Sequence, residues 1–144
     1  MQKQEIKDNV SEIYKILNEE SLEPNHHIVI GGASLVLQDV IEETSDVDIL
    51  IASRREVREF ADILIRKEVP LDVSDLFLHL RSLPLVSIEF ENKSLKYQAG
   101  IEFVFAHLVK PYLTHETIGV NGIDVYVRPK SLIKLDYENY IRVD

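Results

Sequence analysis

The sequence predicts an α+β, two-layer (α/β) domain: a mixed, mostly antiparallel sheet flanked by helices. Two observations predict it. Amphipathic helical stretches alternate with short apolar strands through the first half, and the second half is strand-rich, with an Asn-Gly hairpin before a closing helix. The chain has 144 residues, 45% of them hydrophobic, and contains no repeat or linker, so residues 1–144 are expected to form a single domain.

The elements follow in order. Ile6, Val10, Ile13, Ile16 and Leu17 recur at helical steps and predict a helix over 4–19. Ser21 to Asn25, with Pro24, breaks it. His27–Ile30 reads as a strand ending at Gly31-Gly32, and Ser34–Asp39 as a short helix. Glu42–Ser45 is a polar loop, and Asp46–Ala52 a second strand. On that strand Asp46, Asp48 and Leu50 share one face, and Val47, Ile49 and Ile51 the other. Ser53 with Glu56 has the pattern of a capping box for a helix over 54–67, which Pro70 follows. Residues 71–82 are expected to be a short helix or loop. Leu85–Phe90, Ser94–Tyr97 and Ile101–Phe105 read as strands. Thr117–Val120 and Ile123–Val127 flank Asn121-Gly122, the signature of a type I′ hairpin turn. Pro129 introduces a last helix over 130–141.

Composition narrows the function. Lysine and arginine number 16 against 25 acids, a net charge of −9, which argues against a nucleic-acid partner because phosphate contacts need a basic face. A small anionic ligand escorted by a metal is still compatible. There is no cysteine, which excludes disulfides and thiolate metal sites. The polar N-terminus is not a signal peptide, and no apolar run approaches the roughly 20 residues of a membrane span. A cytoplasmic protein without a membrane partner is expected.

Two motifs carry chemistry. Asp46 and Asp48, two apart on a strand, would have Cα atoms roughly 6.5–7 Å apart with both carboxylates on one face. Converging carboxylates repel, and a divalent cation relieves that repulsion. Gly31 and Gly32 let the backbone approach a phosphate closely, and Ser34 can add a hydroxyl donor. The lysine and third glycine of a Walker A loop or a Rossmann fingerprint are absent.

Taken together, Ile28-Val29-Ile30-Gly31-Gly32-Ala33-Ser34 and Thr44-Ser45-Asp46-Val47-Asp48-Ile49 resemble the motif of the nucleotidyltransferase superfamily related to DNA polymerase beta. The likeness is to its small bacterial members, the minimal and abortive-infection-type nucleotidyltransferases. Pro129-Lys130-Ser131-Leu132-Ile133-Lys134-Leu135 fits the helix that follows the strands in such proteins. The resemblance implies a nucleotidyltransferase-like fold. It also implies transfer of a nucleoside monophosphate from a nucleoside triphosphate, ATP being the expected one, to a hydroxyl of an unknown small-molecule or protein acceptor. Asp46, Asp48 and a third carboxylate would bind Mg2+ or Mn2+, and Gly31, Gly32 and Ser34 would cradle phosphates. Glu102, a single acid in the apolar strand Ile101–Phe105, is the preferred third carboxylate, with Glu89 and Asp124 as rivals.

This sequence departs from the pattern at Glu102, where relatives more often carry aspartate, at Ala33, where many have serine, and at Glu43, where several have arginine. The alternative reading is therefore an inactive module of this fold that binds a partner, as in a toxin–antitoxin pair. Relatives often carry an additional helical domain that closes over the acceptor; none is expected after the helix over 130–141, so a homodimer or a separate chain is the expected source of the acceptor site. Arg54, Arg55, Lys130 and Lys134 read as surface residues. Adjacent His26 and His27 would point to opposite faces and make a poor chelate, and His79, His107 and His115 are too scattered for zinc. Tyr97, Tyr112, Tyr126, Tyr137 and Tyr140 read as core or rim packing.

Overall fold

The computed structural model describes residues 1–69, 71–78, 81–92, 97–105 and 114–139, with backbone course alone for Arg54, for the part within 71–105 and for 136–139. The elements are α1 (Lys3–Glu19), a 3-10 turn (Pro24–His26), β1 (His27–Ile30), α2 (Gly31–Leu37), β2 (Val47–Ile51), α3 (Arg54–Arg66), β3 (Leu71–Leu78), β4 (Arg81–Asn92), β5 (Tyr97–Phe105), β6 (Glu116–Val120), β7 (Ile123–Val127) and α4 (Lys130–Asn139). Among the described residues the strands form one seven-stranded sheet in the order β3-β4-β5-β2-β1-β7-β6. The β5–β2 and β1–β7 pairings are parallel and the other four antiparallel, so the sheet is mixed and mostly antiparallel as expected.

The sheet takes its layer from strand periodicity. Val47, Ile49 and Ile51 of β2 join Val29 of β1 and Val125 and Val127 of β7 in one buried cluster. The cluster is roofed by Ile6, Val10, Ile13, Tyr14 and Leu17 of α1 and by Val57, Phe60 and Leu64 of α3. Ile28 and Leu50, one residue out of phase, are buried on the other face. Asp48 shares their phase and so lies on the face away from the α1/α3 layer. Tyr14 bolts the layers together: its hydroxyl donates to the carbonyl oxygens of His27 and of Tyr126. Burial raises the Tyr14 pKa well above the ordinary phenol value.

Several boundaries differ from expectation. α2 starts on Gly31 itself, because Gly31 takes φ +59°, turning the chain directly from β1 into the helix. β2 begins at Val47, so Asp46 sits just before the ladder. Residues 71–82 are not a helix or loop: β3 covers Leu71–Leu78 and β4 opens at Arg81. The alternation in this stretch breaks at Ser74-Asp75, and Pro84 within β4 lacks a ladder donor, so the strand signal is weak; pairing with a neighbouring strand overrides it. The Ser53 cap forms, Oγ accepting from the Glu56 N–H at 3.2 Å. The hairpin turn has positive φ at Asn121 (50°) and Gly122 (80°), as a type I′ turn requires. Among expected features, Pro70, His79, the Ser94–Lys96 part of a strand, His107, Tyr112 and the helix beyond Asn139, including Tyr140, lie outside the described residues. No helix among the described residues is long and apolar enough to cross a membrane.

His27 imposes a pH limit on this core. Its side chain packs edge-on against Phe60, and buried Nδ1 meets no hydrogen-bond partner among the described residues. Burial, with a smaller push from neighbouring His26, lowers the His27 pKa to about 3. The unfolded chain takes up this proton near the ordinary histidine value, and the folded chain does so only near 3. Stability is therefore fully present above about pH 6.5 and is lost as pH falls toward 3. Denaturant titrations between pH 6 and 4 should give a slope of about 1.4 kcal/mol per pH unit that His27→Leu lacks.

Candidate functional site

The corner between β1 and α2 is built by close approach. A Cβ at Gly32 would stand 2.3 Å from Thr44 Oγ1 and 3.0 Å from Thr44 Cβ, so only glycine admits the threonine there. Thr44 is held in turn by the chain's first residues. Its N–H donates to the Met1 carbonyl at 3.1 Å, and the Met1 amino group donates to the Thr44 carbonyl. Gln2 bridges Glu43 through the backbone and also bonds its carboxylate at 3.1 Å. Lys3 pairs with Asp39, and that hydrogen-bonded ammonium holds the Asp39 carboxyl below its ordinary value. The loop leading into the acidic segment is thus clasped by the start of α1.

Ser34 faces inward. It is fully buried, and its Oγ donates to the Arg128 carbonyl at 2.6 Å and accepts from Gln38 Nε2 at 2.8 Å. Both contacts place this hydroxyl at the junction between α2 and Arg128. Gln38 extends the same junction, donating to the Arg128 carbonyl at 2.8 Å and accepting from the Lys130 N–H at 3.0 Å. α2 is thereby fixed to the segment between β7 and α4. The Gln38–Arg128 link spans 90 positions and follows no helix or strand period.

The acids fall as follows. Asp46 is exposed, with Ser45 Oγ donating to its Oδ2 at 3.4 Å. Asp48 is half-buried in β2, opposite Ile30, the residue just before the glycine corner. On its other side Asp48 is the register partner of Glu102 in β5. Register partners on adjoining strands lie about 4.8 Å apart. Glu89 pairs with Gly100 in β4, and β5 separates β4 from β2. Asp124 precedes Val127, which is level with Val29, so it lies toward the other end of the sheet, with β1 between its strand and β2. The backbone therefore brings Glu102, and not Glu89 or Asp124, alongside Asp48.

No protein-family model and no curated protein sequence matches this chain. Among solved structures it matches a provisionally named nucleotidyltransferase from Thermotoga maritima, at a TM-score of 0.69 and 17% identity, over 96% of this chain and 86% of that one. This chain has the nucleotidyltransferase fold. Cid1 poly(U) polymerase in its MgGTP-bound form is also similar, at 14% identity and a TM-score of 0.49, over 74% of this chain and 33% of that one. In this nucleotidyltransferase fold the glycine corner and the Asp48–Glu102 row lie at one end of the β1/β2 pair.

One cluster was not anticipated. Glu23, His26 and Glu56 bring one ligand atom each within 4.8 Å of one another, the one such group of three among the described residues. Glu56 was legible only as a helix cap, and although Glu23 and His26 stand three apart, Pro24 between them reads as a helix break.

The Gly32–Thr44 contact can be tested by coupling. Gly32→Ala should destabilise the protein by about 1–3 kcal/mol through overpacking. Adding Thr44→Ala removes Oγ1 and should recover part of that loss, since Thr44 Cβ still stands 3.0 Å away. Thermal unfolding of the two single variants and the double variant measures the coupling.

Proposed function

We propose that this chain is a metal-dependent nucleotidyltransferase. It moves a nucleoside monophosphate, from ATP in the simplest case, to an acceptor hydroxyl. The observation that carries the reading is the row Ile30–Asp48–Glu102 beside the glycine corner, within a nucleotidyltransferase fold. Asp46, Asp48 and Glu102 are an all-oxygen, anionic donor set, which suits a hard cation such as Mg2+ or Mn2+. Bound there, the cation neutralises triphosphate charge and lowers the pKa of the acceptor hydroxyl.

The chain's own residues bind and orient. The open backbone of Gly31 and the N–H of Gly32 receive phosphate oxygens, while Thr44 keeps the acidic loop against that corner. Ser34 and Gln38 hold α2 in place from beneath. The acceptor oxygen forms a bond to the α-phosphorus, the bond from that phosphorus to the β-phosphate oxygen breaks, and pyrophosphate leaves. The acceptor's proton passes to solvent. Catalysis is positioning and charge neutralisation, as in other phosphoryl transfers.

Titration calorimetry with ATP and Mg2+ should give binding that Asp46→Asn with Asp48→Asn abolishes. Transfer of an α-phosphate label onto a hydroxyl acceptor should fall by roughly a hundredfold or more in Glu102→Gln and much less in Glu89→Gln. Absence of nucleotide binding with either Mg2+ or Mn2+ would remove the reading.

A further inference from the structure

We infer that Glu23, His26 and Glu56 form a second cation site, one that takes a borderline divalent transition metal such as Zn2+ and ties the entry of β1 to the start of α3. It lies away from the acidic pair. His27, next to His26, is level with Ile51, whereas Ile30 is level with Asp48, so the two groups sit at opposite ends of β1, roughly 10 Å apart along the strand.

The donors are arranged before any ligand arrives. The 3-10 turn Pro24–His26 stacks positions three apart on one edge, which sets Glu23 beside His26. The His26 N–H donates to the Glu23 carbonyl at 3.0 Å, and the Ala52 N–H donates to the His26 carbonyl at 3.0 Å, fixing the turn to the end of β2. Ser53, the α3 cap, donates its hydroxyl to Glu56 Oε2 at 2.8 Å, leaving Oε1 turned toward the imidazole. A hydroxyl orienting a ligating carboxylate is the outer-shell arrangement that metal sites use.

The contacts converge on a single atom. His26 Nδ1 lies 2.7 Å from Glu56 Oε1 and 2.8 Å from Glu23 Oε2. An imidazole nitrogen carries at most one proton, so it meets two carboxylate acceptors with one hydrogen. A cation between the three atoms serves all of them at once and relieves the repulsion between the two carboxylates. Bonds of about 2.0–2.2 Å to nitrogen and oxygen need donor separations only slightly wider than these. One imidazole with two carboxylates selects a borderline metal over Mg2+, which demands near-octahedral oxygen ligation. Glu23 is exposed, leaving the remaining positions to water.

The test uses the full chain with Asp46→Asn and Asp48→Asn, so that the proposed nucleotide site contributes nothing and its failure would be separate from this one. Calorimetric titration with Zn2+ should find one site per chain, and saturating Zn2+ should raise the melting temperature by roughly 5 °C or more. Adding His26→Gln, or Glu23→Gln on the exposed turn, should weaken Zn2+ by about tenfold or more and remove that shift. X-ray absorption at the zinc edge should show one imidazole among oxygen ligands. Unchanged Zn2+ affinity in both variants, or no Zn2+ binding in the parent, overturns the inference and leaves the cluster an ion-pair clasp.

Discussion

The register between β1 and β2 is the constraint on which the rest depends. A slip of one residue would turn Val47, Ile49 and Ile51 away from α1 and α3 and drive Asp48 into that apolar layer. The burial of those three side chains therefore also sets which way the acid faces. Packing and chemistry are decided by the same alternation. The parallel pairing of β2 with β5 extends the row, so Glu102 reaches Asp48 by topology although 54 positions separate them in sequence.

Around that register the molecule fixes a corner with few parts. Gly31 turns the chain from β1 into α2, and Gly32 yields the space that Thr44 occupies. Met1, Gln2 and Lys3 hold the loop that carries Thr44 toward Asp46. Ser34 and Gln38 anchor α2 to Arg128, at the end of β7, the strand beside β1. The loop before the acids is thus tied at one side to the start of the chain and at the other to a helix held by β7.

Two anionic groups then stand at opposite ends of one short strand. At the β1 C-terminal end, Asp48 and its register partner Glu102 stand beside the glycine corner, where the proposed function places a hard cation and phosphate. At the N-terminal end an imidazole joins two carboxylates, a setting for a softer metal. Buried His27 lies between them and is held neutral by its surroundings. The chain's net charge of −9 favours cations at either end.

Much of this was legible in the residues themselves. The α1 face, the Ser53 cap, the Asn121-Gly122 turn and the division of β2 into an acidic and an apolar face are local signals, set by periodicity and by backbone conformations that few residue types adopt. β3 was hidden because its alternation is broken and its strand character comes from pairing with β4. The Ser34–Arg128 contact joins residues 94 positions apart, a link no spacing rule reveals.

The sequence by itself indicated the fold class through its succession of helical and strand periods, and it determined the Gly31-Gly32 turn and the two-residue spacing of Asp46 and Asp48, because these are properties of near neighbours. Only the tertiary structure decided that Glu102 stands level with Asp48, that Thr44 fills the space above Gly32, and that Glu23, His26 and Glu56 meet at one nitrogen. Those meetings depend on strand order and register, which are fixed by the burial of side chains far apart in the chain.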